Sequence, residues 1–339
     1  MTRQAFDVLV VGGGPAGCAA ALTARRLGQS VALLERGAAR EDGPATVERL
    51  APVVRQPLAD WGLLACLTEP VACECAGVVA AWNPDAPPHV THGMLDPYGG
   101  GWIVERHAFD ALLRREAARL GAVLVPGHVA SVVACASGWT LEYERCGTMQ
   151  TMHGGRLVLA AGGAASLRRT LTAGSPLSEK WVAVLGRARG CSRDWRDDAC
   201  LFVEKTPDGW MYAMPAPAGG AFAGVCVPGP SLSRQRPEDV WRRALECSRI
   251  RNACEPGADA RVWCRPMRGP APLEVAGHSW AIAGDAAHCV DPLSGLGVAF
   301  ALESGRRAVE TPDSYDAWVR SFRAQHDETR TEFYRPSSP

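Results

Sequence analysis

The sequence is poor in lysine, in long apolar runs and in paired cysteines, and each shortage excludes a class of protein. Lys180 and Lys205 are the two lysines among 36 basic residues, and 36 acidic residues balance the charge, so no basic excess is available for nucleic acid. No segment is apolar for long enough to cross a bilayer. The 13 cysteines are scattered without a CxxC pair, so we expect no metal site. Small buried thiols in a reducing cytoplasm are the simpler interpretation, and we expect a cytoplasmic protein.

Glycine, in contrast, is concentrated where a nucleotide would need it. Residues 5–11 are apolar and end in glycines, so they predict a buried strand rather than a signal peptide. The motif GGGPAG at 12–17 follows, then small residues typical of a helix, then a second apolar strand at 30–34 that ends at Glu35. A GxGxxG motif between a strand and a helix, with an acidic residue about 20 positions further on, predicts a dinucleotide-binding unit.

Each residue type in this motif has a physical purpose. Gly12 permits the tight turn, Gly14 lets a pyrophosphate approach the backbone, and Gly17 lets the helix pack closely on the strand. Glu35 can accept hydrogen bonds from a ribose diol. The predicted cofactor-binding residues at this end are Gly12, Gly14, Ala16, Gly17, Glu35 and Arg36.

A second glycine-rich stretch lies at 282–305 (IAGDAAHCVDPLSGLGVAFALESG). It predicts a short buried strand, a Gly-Asp turn and a loop that opens a helix of small residues. Such a loop exposes free backbone N–H groups and the positive end of a helix dipole, which favour an anion. Gly295-x-Gly297 lacks the third glycine of a fingerprint and follows a loop, so the two glycine-rich sites are expected to bind different parts of one ligand. The predicted binding residues here are Gly284, Asp285, Pro292, Gly295, Leu296 and Gly297.

The 339 residues suffice for two domains. Residues 46–64 predict a helical stretch interrupted by prolines, 178–227 alternate like an antiparallel sheet, and 311–333 predict a polar terminal helix. The expected fold class is α/β, with a dinucleotide-binding Rossmann-like domain and an inserted antiparallel-sheet substrate domain. The expected boundaries are 1–70, 100–170 and 265–312 for the dinucleotide-binding domain, 71–99 and 171–264 for the substrate domain, and 313–339 for a helix and tail.

The name FAD comes from a resemblance. VVGGGPAG, LLER and GDAAH followed by PxxGxG are together similar to the FAD-binding domain of the p-hydroxybenzoate-hydroxylase superfamily, and the pattern RxxFDxxL from Arg106 matches the same group. The resemblance implies that the Rossmann-like domain is an FAD-binding domain of the GR2 type and that it holds FAD non-covalently. It places the AMP half of FAD on the first motif and Asp285 near the ribityl and phosphate region. It also implies that Arg106 contacts FAD and that the loop 292–297 points helix N–H groups at flavin N1 and C2=O. Reduced flavin carries negative charge there, which a helix N-terminus stabilises.

Finer details resemble one subgroup. Glu48-x-Leu50-x-Pro52 is similar to the GExLxP segment of flavin-dependent halogenases and of the QhpG/LodB/GoxB-type monooxygenases, with Val47 in place of the usual Gly. DPLSG at 291–295 and the RxxFY pattern from Arg330 resemble the QhpG/LodB side. Those relatives oxygenate aromatic side chains, notably Trp of partner proteins.

The halogenases of this group use a Lys from the N-terminal half and a WxWxIP motif. This chain has no lysine before Lys180 and reads WMYAMP at 210–215, so halogenation ranks below oxygenation. The superfamily's hydroxylases also carry an Asp where this chain has Gly162, and that Asp is linked to NAD(P)H handling. Its loss favours electrons that come from NAD(P)H through a separate reductase, or from freely supplied reduced flavin.

The residues thus predict an FAD-dependent monooxygenase that hydroxylates an electron-rich aromatic through a C4a-(hydro)peroxyflavin, with O2 as co-substrate. The substrate is expected to be an aromatic small molecule or a Trp or Tyr side chain in a peptide or partner protein. A halogenase and a geranylgeranyl-reductase-like flavin reductase remain alternatives. A flavin-free binding protein resembling the Rab GDP-dissociation inhibitors is a third, which the retained phosphate-approach glycines disfavour.

Three side chains are candidates for catalysis. Asp291 precedes the flavin loop and is the acid/base candidate, with an ordinary structural carboxylate as the alternative. His288 follows the Gly-Asp motif, and a packed histidine is the simpler interpretation. Glu48 either approaches the flavin ring or is a charge on a helix surface. Trp210 and Tyr212 alternate on a predicted strand and share one face, which lines the substrate cavity or belongs to the core.

Overall fold

The computed structural model describes residues 5–36, 46–162, 165–174, 181–257, 260–267 and 271–334. Lys180 and the predicted tail at 335–339 lie outside the described residues. The helices are α1 (Pro15–Arg26), α2 (Arg55–Asp60), α3 (Arg106–Arg119), α4 (Ala165–Leu171), α5 (Arg193–Asp198), α6 (Pro237–Cys247), α7 (Gly297–Glu310) and α8 (Pro312–Tyr334).

The strands alternate with these helices along the chain. They are β1 (Ala5–Val11), β2 (Val31–Glu35), β3 (Val47–Leu50), β4 (Ala72–Glu74), β5 (Gly77–Ala81), β6 (His89–His92), β7 (Trp102–Glu105), β8 (Val123–Pro126), β9 (His128–Cys135), β10 (Gly138–Arg145), β11 (Thr148–Leu159), β12 (Trp181–Ala188), β13 (Gly190–Cys191), β14 (Leu201–Thr206), β15 (Gly209–Pro215), β16 (Ala221–Pro228), β17 (Cys254–Glu255), β18 (Val262–Pro266), β19 (Ala276–Gly277) and β20 (Trp280–Ile282).

The chain forms two compact units. The first comprises Met1–Gly43, Asp110–Leu177 and Gly269–Pro339, and the second comprises Pro44–Phe109 and Ser178–Arg268. The predicted division differs from this one chiefly at 44–70 and 100–109, which pack with the second unit, and at 313–334, which pack with the first. The roles assigned to the two domains stay predictions.

The first unit is built on a sheet with the order β19-β20-β11-β1-β2-β8, to which β10 and β9 are added. Strands β20, β11, β1, β2 and β8 pair in parallel. Parallel strands are covered on both faces, which explains why β1 and β2 are apolar over most of their length. Because the carboxyl ends of parallel strands lie at one edge, the sheet brings Gly12, Glu35, Ala160 and Ala283 to the same edge.

The second unit contains a seven-stranded sheet with the order β18-β12-β16-β15-β14-β5-β6 and a three-stranded sheet with the order β3-β7-β4. All pairs in the larger sheet are antiparallel except β14 with β5. Helix α6 covers one face of it, where Trp241 is buried against Gly186 and Met211 belongs to the same apolar cluster. A Rossmann-like parallel sheet with an inserted antiparallel sheet confirms the predicted fold class.

The predicted helical stretch at 46–64 was wrong at its start. Residues 47–50 form β3, which pairs antiparallel with β7, and the chain turns at Pro52 before the short helix α2. Pairing with β7 gives residues 47–50 their backbone hydrogen bonds, and the local sequence pattern contains no information about this distant partner. Glu48 therefore lies on a strand, not on a helix surface. Among the helices of the described residues, none is long and apolar enough to span a membrane.

Candidate flavin site and aromatic face

The turn after β1 is shaped by glycines with different constraints. Gly12 has φ +109°, and a Cβ there would lie 2.9 Å from the backbone of Ala160. A Cβ on Gly17 would overlap the carbonyl oxygen of Gly12. At Gly14 an added Cβ meets no atom within 4 Å, so the space beside this residue is open. Helix α1 begins after Gly14 without a side-chain cap, which leaves its first N–H groups directed at that space.

Glu35 lies beside this turn at the end of β2. Its Oε2 accepts a hydrogen bond from the backbone N–H of Gly13, and Arg114 Nη1 donates to the Gly13 carbonyl oxygen at 3.2 Å. Arg36 follows and is exposed. Glu35 is thus at the edge where a ribose next to the phosphates would lie, and its hydrogen bond to ribose stays a prediction.

The second glycine motif packs directly on the first helix. Gly284 (φ +61°) turns the chain after β20, and a Cβ there would lie 2.8 Å from Ala16 Cβ. Ser304 Oγ accepts the backbone N–H of Gly284 at 2.9 Å. Gly305 approaches the backbone of Ala16 so closely that a Cβ would overlap its carbonyl oxygen. The two motifs, distant in sequence, therefore form one continuous edge.

Asp285 is exposed at this edge, in the turn that follows Gly284. Gly162 lies against it, since a Cβ on Gly162 would be 3.1 Å from Asp285 Cβ. A carboxylate at position 162 would therefore crowd a second carboxylate, and the glycine avoids that conflict.

The loop before α7 has the form that an anionic group requires. Pro292–Ser294 is a single 3-10 turn, Gly295 adopts φ +63°, and α7 begins at Gly297 without a side-chain cap. A Cβ on Gly297 meets nothing within 4 Å. Two uncapped helix N-termini beside two unobstructed glycines fit a ligand with phosphates at one end and an electron-rich ring at the other, as FAD has.

Asp291, the predicted acid/base, is buried and fully engaged. The residue is 2% exposed, and its carboxylate accepts hydrogen bonds from Arg330 Nε at 2.8 Å, Tyr334 Oη at 3.0 Å and the Leu293 backbone N–H at 3.0 Å. These three donors occupy both carboxylate oxygens and hold the side chain in one place. The contacts indicate that Asp291 fixes the start of the loop at 292–297, while its acid/base role remains an untested prediction.

His288 is buried at 4% exposure and faces another histidine. Its Nε2 lies 3.1 Å from His326 Nδ1, and His326 Nε2 accepts the backbone N–H of Asp291 at 3.0 Å. Since Nε2 of His326 is an acceptor, the neutral ring carries its proton on Nδ1 and donates it to His288. These two histidines and Asp327 lie close enough to hold a metal, but a protonated Nδ1 cannot ligate one. His288 is accordingly a packed histidine in this structure, edge-on to Phe300.

Two residues predicted for separate roles form one ion pair in the second unit. Arg106 Nη1 lies 2.7 Å from Glu48 Oε1, and both side chains are partly exposed. Sequence reasoning assigned Arg106 to FAD and Glu48 to catalysis because a partner 58 positions away is not visible in the chain. Both predicted roles remain untested.

Trp210 and Tyr212 share a face of the seven-stranded sheet, with ring centroids 5.7 Å apart. The row continues through Phe222 to Trp263, at centroid separations of 6.4 and 6.0 Å. Gly224 pairs with Tyr212, and a side chain at Gly224 would collide with the tyrosine ring. The pKa of Tyr212 is raised well above its ordinary value by burial, and also by the negative charge of Glu48.

Sequence reasoning missed Trp263, whose buried Nε1 has no hydrogen-bond partner among the described residues. It lies on β18, 53 positions after Trp210, and joins the aromatic row through the strand order rather than through any local pattern. The face opposite α6 is thus a row of aromatic rings, with the indole N–H of Trp263 at its end.

The comparisons with known proteins agree with this fold. Residues 7–40 match the family model for FAD-dependent oxidoreductases. Over 91% of this chain and 77% of the relative, the chain is 31% identical to the menaquinone reductase of Mycobacterium tuberculosis. The chain therefore belongs to the family of FAD-dependent oxidoreductases, and it is an enzyme; the alternative of a flavin-free binding protein is set aside.

Two solved structures are similar over nearly the whole chain. The flavin-dependent brominase Bmp2 has a TM-score of 0.84 at 22% identity and covers 98% of this chain and 88% of its own, a likeness of fold. The peptidyl tryptophan dihydroxylase QhpG has a TM-score of 0.70 at 26% identity and covers 96% of this chain and 72% of its own.

Proposed function

We propose that this enzyme is an FAD-dependent monooxygenase that hydroxylates an electron-rich aromatic group, in a small molecule or in a Trp or Tyr side chain of a peptide. The observation that carries the proposal is the aromatic row from Trp210 to Trp263 on one face of the second unit's sheet. Trp210 and Phe222 are buried in this row, whereas Tyr212 and Trp263 are partly exposed and offer stacking surfaces to a planar substrate. The 26% identity to a peptidyl tryptophan dihydroxylase supports the same substrate class.

In this proposal the protein binds and orients, and FAD supplies the redox chemistry with O2. The open space beside Gly14 and the N-terminus of α1 hold the pyrophosphate, and Glu35 binds the ribose. The N–H groups at the start of α7 stabilise negative charge on the flavin, and Asp285 lies between these two ends. Tyr212 and Trp263, the partly exposed rings of the row, stack with the substrate ring, and Glu48 orients it. The balance is one O2, two electrons and two protons for one hydroxyl group and one water.

The electrons are proposed to come from NAD(P)H through a separate flavin reductase. Gly162 supports this, because the hydroxylases that use NAD(P)H directly have a carboxylate at that position and here it would crowd Asp285. Stopped-flow mixing of the FAD-loaded protein with NADH or NADPH should leave the flavin oxidised over seconds. Rapid bleaching by either nucleotide alone would contradict a separate reductase.

The hydroxylation itself is tested with photoreduced FAD-loaded protein, an indole or a tryptophan peptide, and a pulse of O2. We expect a product heavier by one oxygen, labelled when 18O2 is used, and loss of product in Tyr212→Leu, which removes a partly exposed ring of the row. Lys205→Gln is the matched control on the neighbouring strand, since Lys205 is exposed. An unlabelled product, or turnover unaffected by Tyr212→Leu, would count against the proposal.

An isoprenoid reductase is the second candidate, and the 31% identity to a menaquinone reductase favours it. Reduction of a carbon–carbon double bond adds two hydrogens and needs no O2, so anaerobic incubation of the reduced protein with menaquinone separates the two. A halogenase is disfavoured, because the chain has no lysine before Lys180, and Lys205, its second lysine, is exposed on β14.

A further inference from the structure

Helix α8 contacts the second glycine motif with one side chain in almost every turn. Tyr315 Oη donates to the Ile282 carbonyl oxygen at 2.7 Å, and Arg323 donates to the carbonyl oxygens of Pro272 and Ala287. Each of these bonds ends on the backbone of the strand or turn that leads into the flavin loop. The helix therefore fixes the course of this segment rather than merely covering it.

The contacts converge on Asp291, the first residue of the loop. Its carboxylate receives Arg330 and Tyr334 from the last two turns of α8, while it caps the 3-10 turn through Leu293 N–H. Arg330 also lies over the ring of Tyr334, with its guanidinium carbon 4.3 Å from the centroid. With side chains 6% and 2% exposed for Arg330 and Asp291, this pair is shielded from water and salt.

The backbone of Asp291 is held from the same helix. His326 Nε2 accepts its N–H, and the opposite ring nitrogen of His326 bonds His288, which belongs to the Gly-Asp segment. Phe322 stacks on His326 at a centroid distance of 6.1 Å and limits rotation of the imidazole. The side chain and the main chain of one residue are thus bound separately, which fixes the direction in which the chain leaves towards Gly295.

We propose that Arg330, Tyr334 and His326 are positioning residues for the flavin: through Asp291 they hold the loop 291–297 so that its N–H groups meet the ring, and so set FAD affinity and reduction potential. The proposal rests on placing the flavin at this loop, but not on the identity of the substrate. Loosening the loop removes more stabilisation from the reduced, negatively charged flavin than from the oxidised flavin. The flavin reduction potential therefore becomes more negative.

The test uses the full chain with excess FAD and the variants Tyr334→Phe and Arg330→Lys. Tyr334→Phe removes one hydroxyl and keeps the ring, so the fold should persist. Arg320→Gln is the matched control, because Arg320 pairs with Asp316 on the exposed side of the same helix. We measure the FAD dissociation constant, the flavin reduction potential, and hydrogen exchange of peptides covering 291–297 and β1.

We expect FAD to bind about fivefold to tenfold more weakly in Tyr334→Phe, a coupling of ordinary size between sites. The potential should be more negative, and exchange should be faster in 291–297 but unchanged in β1, with Arg320→Gln like the parent. The proposal would be overturned if both Tyr334→Phe and Arg330→Lys kept the FAD affinity, the flavin potential and the loop exchange of the parent. Weaker FAD binding without faster loop exchange would also overturn it. If the parent chain itself binds no FAD, the proposed placement of the flavin is wrong, and this outcome is distinct from a failure of the positioning role of α8.

Discussion

The constraints on the first glycine motif predict opposite outcomes for one substitution made at two positions. Gly14 has φ −80°, a conformation that alanine adopts freely, and a Cβ there meets nothing within 4 Å. Gly17 lies inside α1, where a Cβ would overlap the Gly12 carbonyl oxygen and lie 3.0 Å from its carbon and 3.2 Å from Val10 Cγ1. The first site is open towards a ligand, and the second is closed by backbone.

The magnitudes follow from these contacts. In Gly17→Ala the turn itself must move, and such overpacking costs about 1–3 kcal/mol, offset by about 0.5–1 kcal/mol because alanine is the better helix former. Because the clash is with backbone rather than with a flexible side chain, the upper end of the cost applies, and the net loss of unfolding free energy is about 2 kcal/mol. In Gly14→Ala the stability without FAD should stay within about 0.5 kcal/mol of the parent. Its methyl group takes the space of the pyrophosphate, so FAD binding should weaken at least tenfold, or about 1.4 kcal/mol.

Urea unfolding followed by circular dichroism without FAD measures the first quantity, and quenching of flavin fluorescence on titration measures the second. Gly17→Ala should unfold at lower urea, whereas Gly14→Ala should unfold like the parent and bind FAD poorly. Parent-like stability of Gly17→Ala would refute the packing argument. Parent-like FAD affinity of Gly14→Ala would refute the assignment of the open space to the phosphates.

Three further outcomes are expected. Arg187→Gln removes both hydrogen bonds from the guanidinium to the buried Glu105 carboxylate and should lower the unfolding free energy by about 3 kcal/mol in urea titrations; a loss below about 0.5 kcal/mol would contradict this. Iodoacetamide at pH 7.5 should modify Cys135 well before Cys73. Hydrogen bonds from the Ser137 backbone and hydroxyl lower the pKa of the exposed Cys135 thiol, whereas burial raises the pKa of Cys73 to about 11. Equal labelling of the two cysteines in peptide mass spectra would contradict this expectation. Gly224→Ala should displace the tyrosine ring packed on it, cost about 1–3 kcal/mol and change the tryptophan fluorescence, and an unchanged spectrum would speak against the aromatic row.

Much of the fold could be predicted because it depends on local patterns. The apolar run at 5–11 is β1 residue for residue, and the small residues predicted to form a helix after the first glycine motif are α1. The order strand, glycine turn, helix and strand requires no distant partner to be recognised. The stretch at 46–64 shows the limit of such patterns, since β3 exists because it pairs with β7, about 55 residues later.

The candidate catalytic side chains could not be predicted in the same way, because their surroundings come from distant parts of the chain. Asp291 is bound by residues 39 and 43 positions away, and His288 by one 38 positions away. Without those partners, a carboxylate and a histidine beside a flavin loop look like acid/base chemistry. In the structure, these partners fix Asp291 and His288 in place, and Asp291 caps the first turn of the loop.

One physical cause explains why the glycine-rich site could be predicted from the sequence and the surroundings of the candidate catalytic and substrate side chains could not. In the proposed site, FAD is held largely by backbone N–H groups, so glycines at a fixed spacing predict the site. The close packing of Gly284 and Gly305 on Ala16 joins two such motifs into a single edge that one ligand can span. In the proposed function, substrate choice depends instead on side chains such as Trp263, which join the aromatic row only through the strand order. We therefore expect substitutions in the aromatic row to change the substrate without loss of FAD.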